Sequence, residues 1–352
     1  MGFYQAMQLS AANLKPLIKN AESKEIKNKY IAALILKSIL CLLFCTIVVI
    51  SFGKVFGEEN NVVGVVTVIS LLNFRFSNLD FKVRQAALTI VGIFGVLSIS
   101  PYIASISNPF LVFIINFISI IGILILTCHN VRLCNHSILV LSYFLLYGYK
   151  VENTEILINR IIGLIFGGIL VASIFYIKQR KIEFKNTFID IINDVDFNTE
   201  RTKWQLKFAF VTTSAIMIGE FLHIPRTMWI GIACMSVFHP DKSQLQIRYK
   251  QRMLYMVLGC LMYMSIYFLI PQQFRGLIGL IGGVMIGFSG TYKWQTVFNA
   301  FGALSAATPI LGFGGAIIFR ILNNVFGALY SKGFDYIINF IDNKEFANVN
   351  EA

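Results

Sequence analysis

Of 352 residues, 56% are hydrophobic and 14% charged, with a mean hydropathy of +0.70; soluble domains carry about 25% charged residues, so a water-soluble globular protein is excluded. The apolar runs are too long and frequent for a set of soluble domains, and an all-α, polytopic membrane protein is expected. Thirty Lys and Arg against eighteen Asp and Glu give +12, but the basic residues fall in alternating loops, which makes the excess a topology signal with some anionic-lipid attraction and no call for nucleic acid.

In chain order, residues 1–30 form a polar segment expected to be cytosolic, with no removable signal peptide and no myristoylation pattern, since residue 6 is Ala6. Six apolar segments follow, at 31–52, 62–74, 86–104, 109–128, 137–149 and 156–177. A polar linker of 178–205 precedes six more, at 206–222, 227–238, 253–270, 276–290, 295–311 and 314–334. Residues 335–352 form a polar tail. A helix crossing about 30 Å of hydrocarbon needs about 20 residues, so segments 2, 5, 8 and 11 read as short or interrupted, segment 11 carrying Pro309 between Gly302 and Gly312.

The spans 31–177 and 206–334 repeat one another. Lys37 opens its first segment as Lys207 does, Arg84 precedes Gly92 as Arg252 precedes Gly259, and Arg160 precedes Gly167 as Arg320 precedes Gly327. Six segments per repeat is an even number, so about twelve transmembrane helices would form two parallel repeats around an axis along the membrane normal, with both termini cytosolic. Segments 2 and 8, and 5 and 11, are expected in equivalent positions with their ends meeting near that axis.

Arg with Gly seven or eight positions on places both on one helix face, where Gly admits a neighbouring helix. Arg84 and Arg252 follow basic loop residues and read equally as snorkelling flanks or as pathway groups. Arg160 and Arg320 lie inside apolar runs, where a charge costs at least about 2.5 kcal/mol; a polar path is favoured over an anchor to the backbone of a broken neighbouring helix. Lys37 and Lys207 either snorkel or line the same path. Glu220 and His223 form a candidate proton-responsive pair or are solvated interfacial groups, and His239, before Pro240 and Asp241, is either a titratable group at the cytosolic mouth or the polar end of a stopped helix. Trp229 is an interfacial belt residue or a stacking surface for an aromatic substrate. Asn116, Asn299 and Ser305 bridge helices or line a path. The six cysteines, without paired spacing, read as reduced packing residues. Neither a hydrolase nor an ATPase motif is present, so no enzyme activity and no cofactor or metal is expected.

The stretch HIPRTMWIGIACMSVFHPDKSQLQIRYKQRMLYMVLG, His223 to Gly259, resembles the fusaric-acid-resistance family of efflux proteins, which includes aromatic-acid exporters, through Pro225, Trp229, His239-Pro240, Arg252 and Gly259. The first repeat departs from it at Asn61–Gly64 and Asn73-Phe74. Plant aluminium-activated malate channels are more distant relatives whose six-helix subunits pair, like the two repeats here. The resemblance implies a permease of the cytoplasmic (inner) membrane that exports small organic anions, aromatic carboxylates among them, driven by an ion gradient. A passive organic-anion channel and a non-transporting scaffold are the alternatives. Membrane lipids are expected neighbours, and a homo-oligomer or an accessory export protein is a further candidate partner.

Overall fold

A stretch of about 20 apolar residues can satisfy its backbone hydrogen bonds in lipid only as a helix, and helices are what these segments form. The computed structural model describes residues 1–350 and, outside Lys242 and 341–350, their side chains. It contains α1 (Phe3–Gln8), α2 (Ala11–Lys19), α3 (Lys24–Phe56), α4 (Asn61–Phe74), α5 (Val83–Ser105), α6 (Pro109–Thr127), α7 (His136–Gly148), α8 (Thr154–Gln179), α9 (Phe188–Asn193), α10 (Glu200–Phe221), α11 (Met228–Val237), α12 (Lys242–Leu269), α13 (Ile278–Phe288) and α14 (Tyr292–Asn350). Among the described residues there is no strand. Among the described residues six helices are long and apolar enough to cross a membrane: α3, α5, α6, α8, α12 and α14.

Each of the twelve apolar segments falls largely within a helix, the last two sharing α14, which is broken at Gly312. Gly312 has φ 70° and ψ 165°, a left-handed conformation that L side chains resist, so glycine is what makes the break possible. Among the helices formed by the apolar segments the short ones are α4, α7, α11 and α13, with 14, 13, 10 and 11 residues. At 1.5 Å per residue these are about 15–21 Å long. Segments 2, 5 and 8 are therefore short as expected. The fourth short helix is segment 10, not segment 11: a 3₁₀ turn, Gln272–Leu277, uses up its beginning, whereas segment 11 stays helical through Pro309 up to Gly312.

The chain divides into two compact units, one of Met1–Ile47 with Gln246–Val325, the other of Val48–Leu245 with the chain from Phe326 on. In the first, the expected polar N-terminal segment folds back as α1 and α2. Ala6, Ala11 and Leu14 bury against Ala33 and Leu34 of α3, with Phe288 at the edge. The ammonium of Lys37 donates to the carbonyl of Leu9 just beyond α1. In this unit Gly259 of α12 lies so close to α14 that a Cβ there would stand 2.6 Å from the carbonyl oxygen of Val297.

In the second unit α8 packs along α4 and α5, α10 along α6 and α11, and α7 between α4, α5 and α11. Glycines set the closest approaches: a Cβ at Gly167 would meet the Thr67 hydroxyl, one at Gly168 would meet Phe94, and one at Gly327 would stand 2.7 Å from the carbonyl oxygen of Ile230. The linker carries α9, whose Thr187–Asp190 capping box is complete. It is pinned to the start of α5 by Lys82 N–H to the Asn186 carbonyl (2.9 Å) and Phe188 N–H to the Gln85 side-chain carbonyl (2.8 Å). Hydrogen bonds from Thr187 hold the exposed Asp190 carboxyl below its ordinary value. Of the expected C-terminal tail, the chain continues as helix to Asn350, and residues 351–352 lie outside the described residues.

Candidate functional site

Four helix ends and a turn converge within the second unit. A helix ends in carbonyls that have no intrahelical donor and carry the negative end of its dipole, and α7 ends at the half-buried Gly148. Two guanidiniums answer it. Arg226, from the turn between α10 and α11, donates to the Gly148 carbonyl at 3.1 Å and covers the Tyr149 ring at 5.2 Å. Arg160 of α8 donates to the next carbonyl, that of Tyr149, to the Asn60 side-chain oxygen at 3.0 Å and, at 3.4 Å, to the Glu59 carbonyl. Asn60 is fixed in turn by donating to the carbonyls of Phe56 and Ile156. Arg160 is 3% exposed, and these partners are neutral oxygens. Arg226 is held by a turn in which both it and His223 adopt positive φ, 59° and 51°.

Glu220 stands at the end of α10 beside the same α7 terminus. Its carboxylate accepts from the Tyr147 hydroxyl at 2.6 Å and from the Thr227 hydroxyl. His223 is exposed, and its backbone N–H bonds the Glu220 carbonyl. Among the described residues no ion pair joins His223 to Glu220. Glu220 thus sits between two hydroxyls, and the exposed His223 has the placement of the alternative reading, a solvated interfacial group.

A second cluster lies in the first unit. Arg252, 4% exposed, directs its Nε and Nη2 to the Asn324 side-chain oxygen at 3.0 and 2.7 Å, and the Asn324 amide donates to the Arg320 carbonyl at 2.7 Å. Arg320 is 3% exposed and Asn324 fully buried. The arginines that the sequence pattern matches to them behave differently: Arg84 is exposed, and the position four after Arg160 is Leu164, which offers no acceptor. Three of the four repeated glycines, Gly167, Gly259 and Gly327, do admit a neighbouring helix; at Gly92 nothing lies within 4 Å of where a Cβ would stand.

The other candidates are dispersed. Lys37 is tied to the N-terminal helices, Lys207 is half-buried, and Asn299 is exposed on α14. Trp229 is 2% exposed and so is not at a lipid-facing surface. His239 accepts the Asp241 N–H at its Nδ1, 3.1 Å, beyond the end of α11; hydrogen bonds from Ser243 hold the exposed Asp241 carboxyl below its usual range. Asn116 accepts from the Tyr143 hydroxyl at 2.8 Å while its own amide nitrogen is buried without a partner, and the Ser305 hydroxyl is buried likewise. Asn60, Tyr147, Arg226, Thr227 and Asn324 were not singled out from the sequence. For Asn324 a signal exists: an Asn pair inside an apolar run, one turn beyond Arg320.

Residues 214–331, from α10 into the second limb of α14, match the family model described as fusaric acid resistance protein-like. This stretch contains Glu220, Thr227, Trp229, His239, Arg252, Arg320 and Asn324, and leaves Arg160 and Asn60 outside. No curated protein and no solved structure matches the chain. With six long apolar helices among the described residues, the protein is a membrane protein, and its residues 214–331 are similar to the fusaric acid resistance protein-like family.

Proposed function

We propose that this chain is an export permease for small organic anions, aromatic carboxylates among them, driven by an ion gradient and built as twelve helices in two parallel six-helix repeats. It would lie in the cytoplasmic membrane with both termini in the cytosol. The observation that carries this reading is the buried Arg160, whose hydrogen-bond partners are carbonyl and amide oxygens at helix ends rather than a carboxylate. A charge at membrane depth is expensive enough that its retention favours a role in conduction, and a transient carboxylate is the partner that such a charge would stabilise most. Arg252 on Asn324 repeats the pattern. The fusaric acid resistance protein-like region, and the placement of each apolar segment in a helix, support the same reading.

The test is counterflow in proteoliposomes with a panel of aromatic and aliphatic carboxylates, with and without an imposed pH gradient. A permease accumulates a labelled carboxylate against its gradient when the pH gradient is present. A channel only equilibrates it, with a current that reverses at the anion's Nernst potential. A scaffold moves nothing.

A further inference from the structure

On the outer face of the second unit, α5 begins where α8 ends, and three basic residues gather at that edge. Lys82, Arg84 and Arg180, all exposed, line a pocket of about 530 Å³ together with Tyr176 and Glu183. The end of α8 and the linker that follows it, 178–185, contribute Lys178, Lys181 and Lys185 against the single carboxylate of Glu183, so the edge is positive even with Asp190 near Lys82. The N-terminus of α5 has no side-chain cap and adds the positive end of its dipole.

Two apolar grooves run from this pocket on either side of α5. The first, about 380 Å³, lies between α5 and α8, starts at Arg84 and Tyr176, and continues past Ala87, Val91, Ile169 and Ala172. The second, about 760 Å³, lies between α5 and α6, starts at Gln85, and continues past Gly92, Val96, Ser119 and Gly122. Leu88 is shared by both and forms the ridge between them. Gly92 and Gly122 leave the second groove open, since a Cβ at either would meet nothing within 4 Å. From Gln85 to Ser100 its α5 wall runs about 22 Å at 1.5 Å per residue, which exceeds the ~15 Å hydrocarbon depth of one leaflet.

We infer that this face is a binding site for one anionic phospholipid, its phosphate held by Lys82, Arg84 and Arg180 and its two acyl chains laid in the two grooves astride Leu88. Positive charge at the end where helices meet the headgroup level, apolar channels leading from it into the membrane, and two channels for one charged pocket are the complement of a diacyl anionic lipid. A helix of another protein would present one broad face, which the Leu88 ridge divides.

Native mass spectrometry of the full chain tests this. Delipidated protein in detergent is offered equimolar phosphatidylglycerol and phosphatidylcholine of identical acyl chains. The expected result is retention of phosphatidylglycerol in preference to phosphatidylcholine. Replacing Lys82, Arg84 and Arg180 together by Gln removes that preference, a loss of about a hundredfold in phosphatidylglycerol affinity at about 1 kcal/mol per charge, and leaves phosphatidylcholine retention unchanged. Gly92→Leu, which fills open space, weakens retention of both lipids. Millimolar inorganic phosphate leaves the bound lipid in place. Equal retention of the two lipids, retention of neither, an unchanged preference in the charge variant, unaffected binding in Gly92→Leu, or displacement by inorganic phosphate would each overturn the assignment. The three basic side chains are exposed, so the variants fold; if the triple variant does not elute as a single species, Arg84→Gln alone is compared by the same criterion.

Discussion

Replacing Asn324 by Leu puts the buried-arginine reasoning under the sharpest test of stability. In the wild type the Asn324 side-chain oxygen takes two hydrogen bonds from Arg252, at 3.0 and 2.7 Å, and Arg252 is only 4% exposed. Hydrogen bonds to charged groups are worth about 1.5–3 kcal/mol each, and stranding a buried charge costs about 3–5 kcal/mol. The side chain that Leu supplies is the one found at the position that the sequence pattern matches to Asn324, Leu164, where Arg84 is exposed instead. Asn324→Leu is therefore expected to destabilise by about 3 kcal/mol, read in detergent as a fall in Tm of roughly 5–10 °C. Removing the charge as well, in Arg252→Met with Asn324→Leu, should restore stability to within about 1 kcal/mol of the wild type, since an apolar pair replaces a buried polar one. A single variant as stable as the wild type, or a double variant no better than the single, would refute the account of Arg252 as a charge held by Asn324.

Gly327→Leu should abolish folding, because its Cβ would stand 2.7 Å from the backbone oxygen of Ile230, while Gly92→Leu should leave the Tm unchanged; size-exclusion elution and thermal unfolding of the two variants check this. Tyr147→Phe removes one of the two hydroxyl donors from the Glu220 carboxylate and should destabilise the protein by about 1.5–3 kcal/mol, read as a lower Tm in detergent. Asp190, whose folded-state carboxyl lies below its ordinary 3.8, stabilises the linker above that pH and stops doing so as the pH falls through the lower folded value. Faster amide exchange in residues 187–193 at pH 3 than at pH 5, after correction for intrinsic rates, is expected for the wild type and not for Asp190→Asn.

The apolar segments were legible because hydropathy and the 1.5 Å rise constrain a membrane helix from its own residues alone. The break before the last segment was legible too, in Pro309 and Gly312. What a single sequence did not reveal are partners brought from a distance. Glu220 was matched with its neighbour His223, yet the turn exposes that His and α7 brings Tyr147 from 73 positions away. The Arg–Gly repeat suggested four equivalent helix contacts, but a helix contact needs a neighbour as well as a glycine. Gly167, Gly259 and Gly327 have one and Gly92 faces a groove. The polar N-terminal and linker segments hide α1, α2 and α9, six to nine residues each, too short to show a clear period.

The measurement closest to the central claim is the rate of carboxylate flux through the reconstituted protein with Arg160 intact and with Arg160→Met. The proposal predicts carboxylate flux well above that of protein-free liposomes. It predicts a severe loss in Arg160→Met, with the variant inserted to the same extent and with the helical content of the wild type, and only partial recovery in Arg160→Lys, whose single ammonium lacks the planar fork that reaches Asn60, Tyr149 and Glu59 together. Undiminished flux in a well-inserted Arg160→Met protein, or no flux of any organic anion through the wild type, would contradict it.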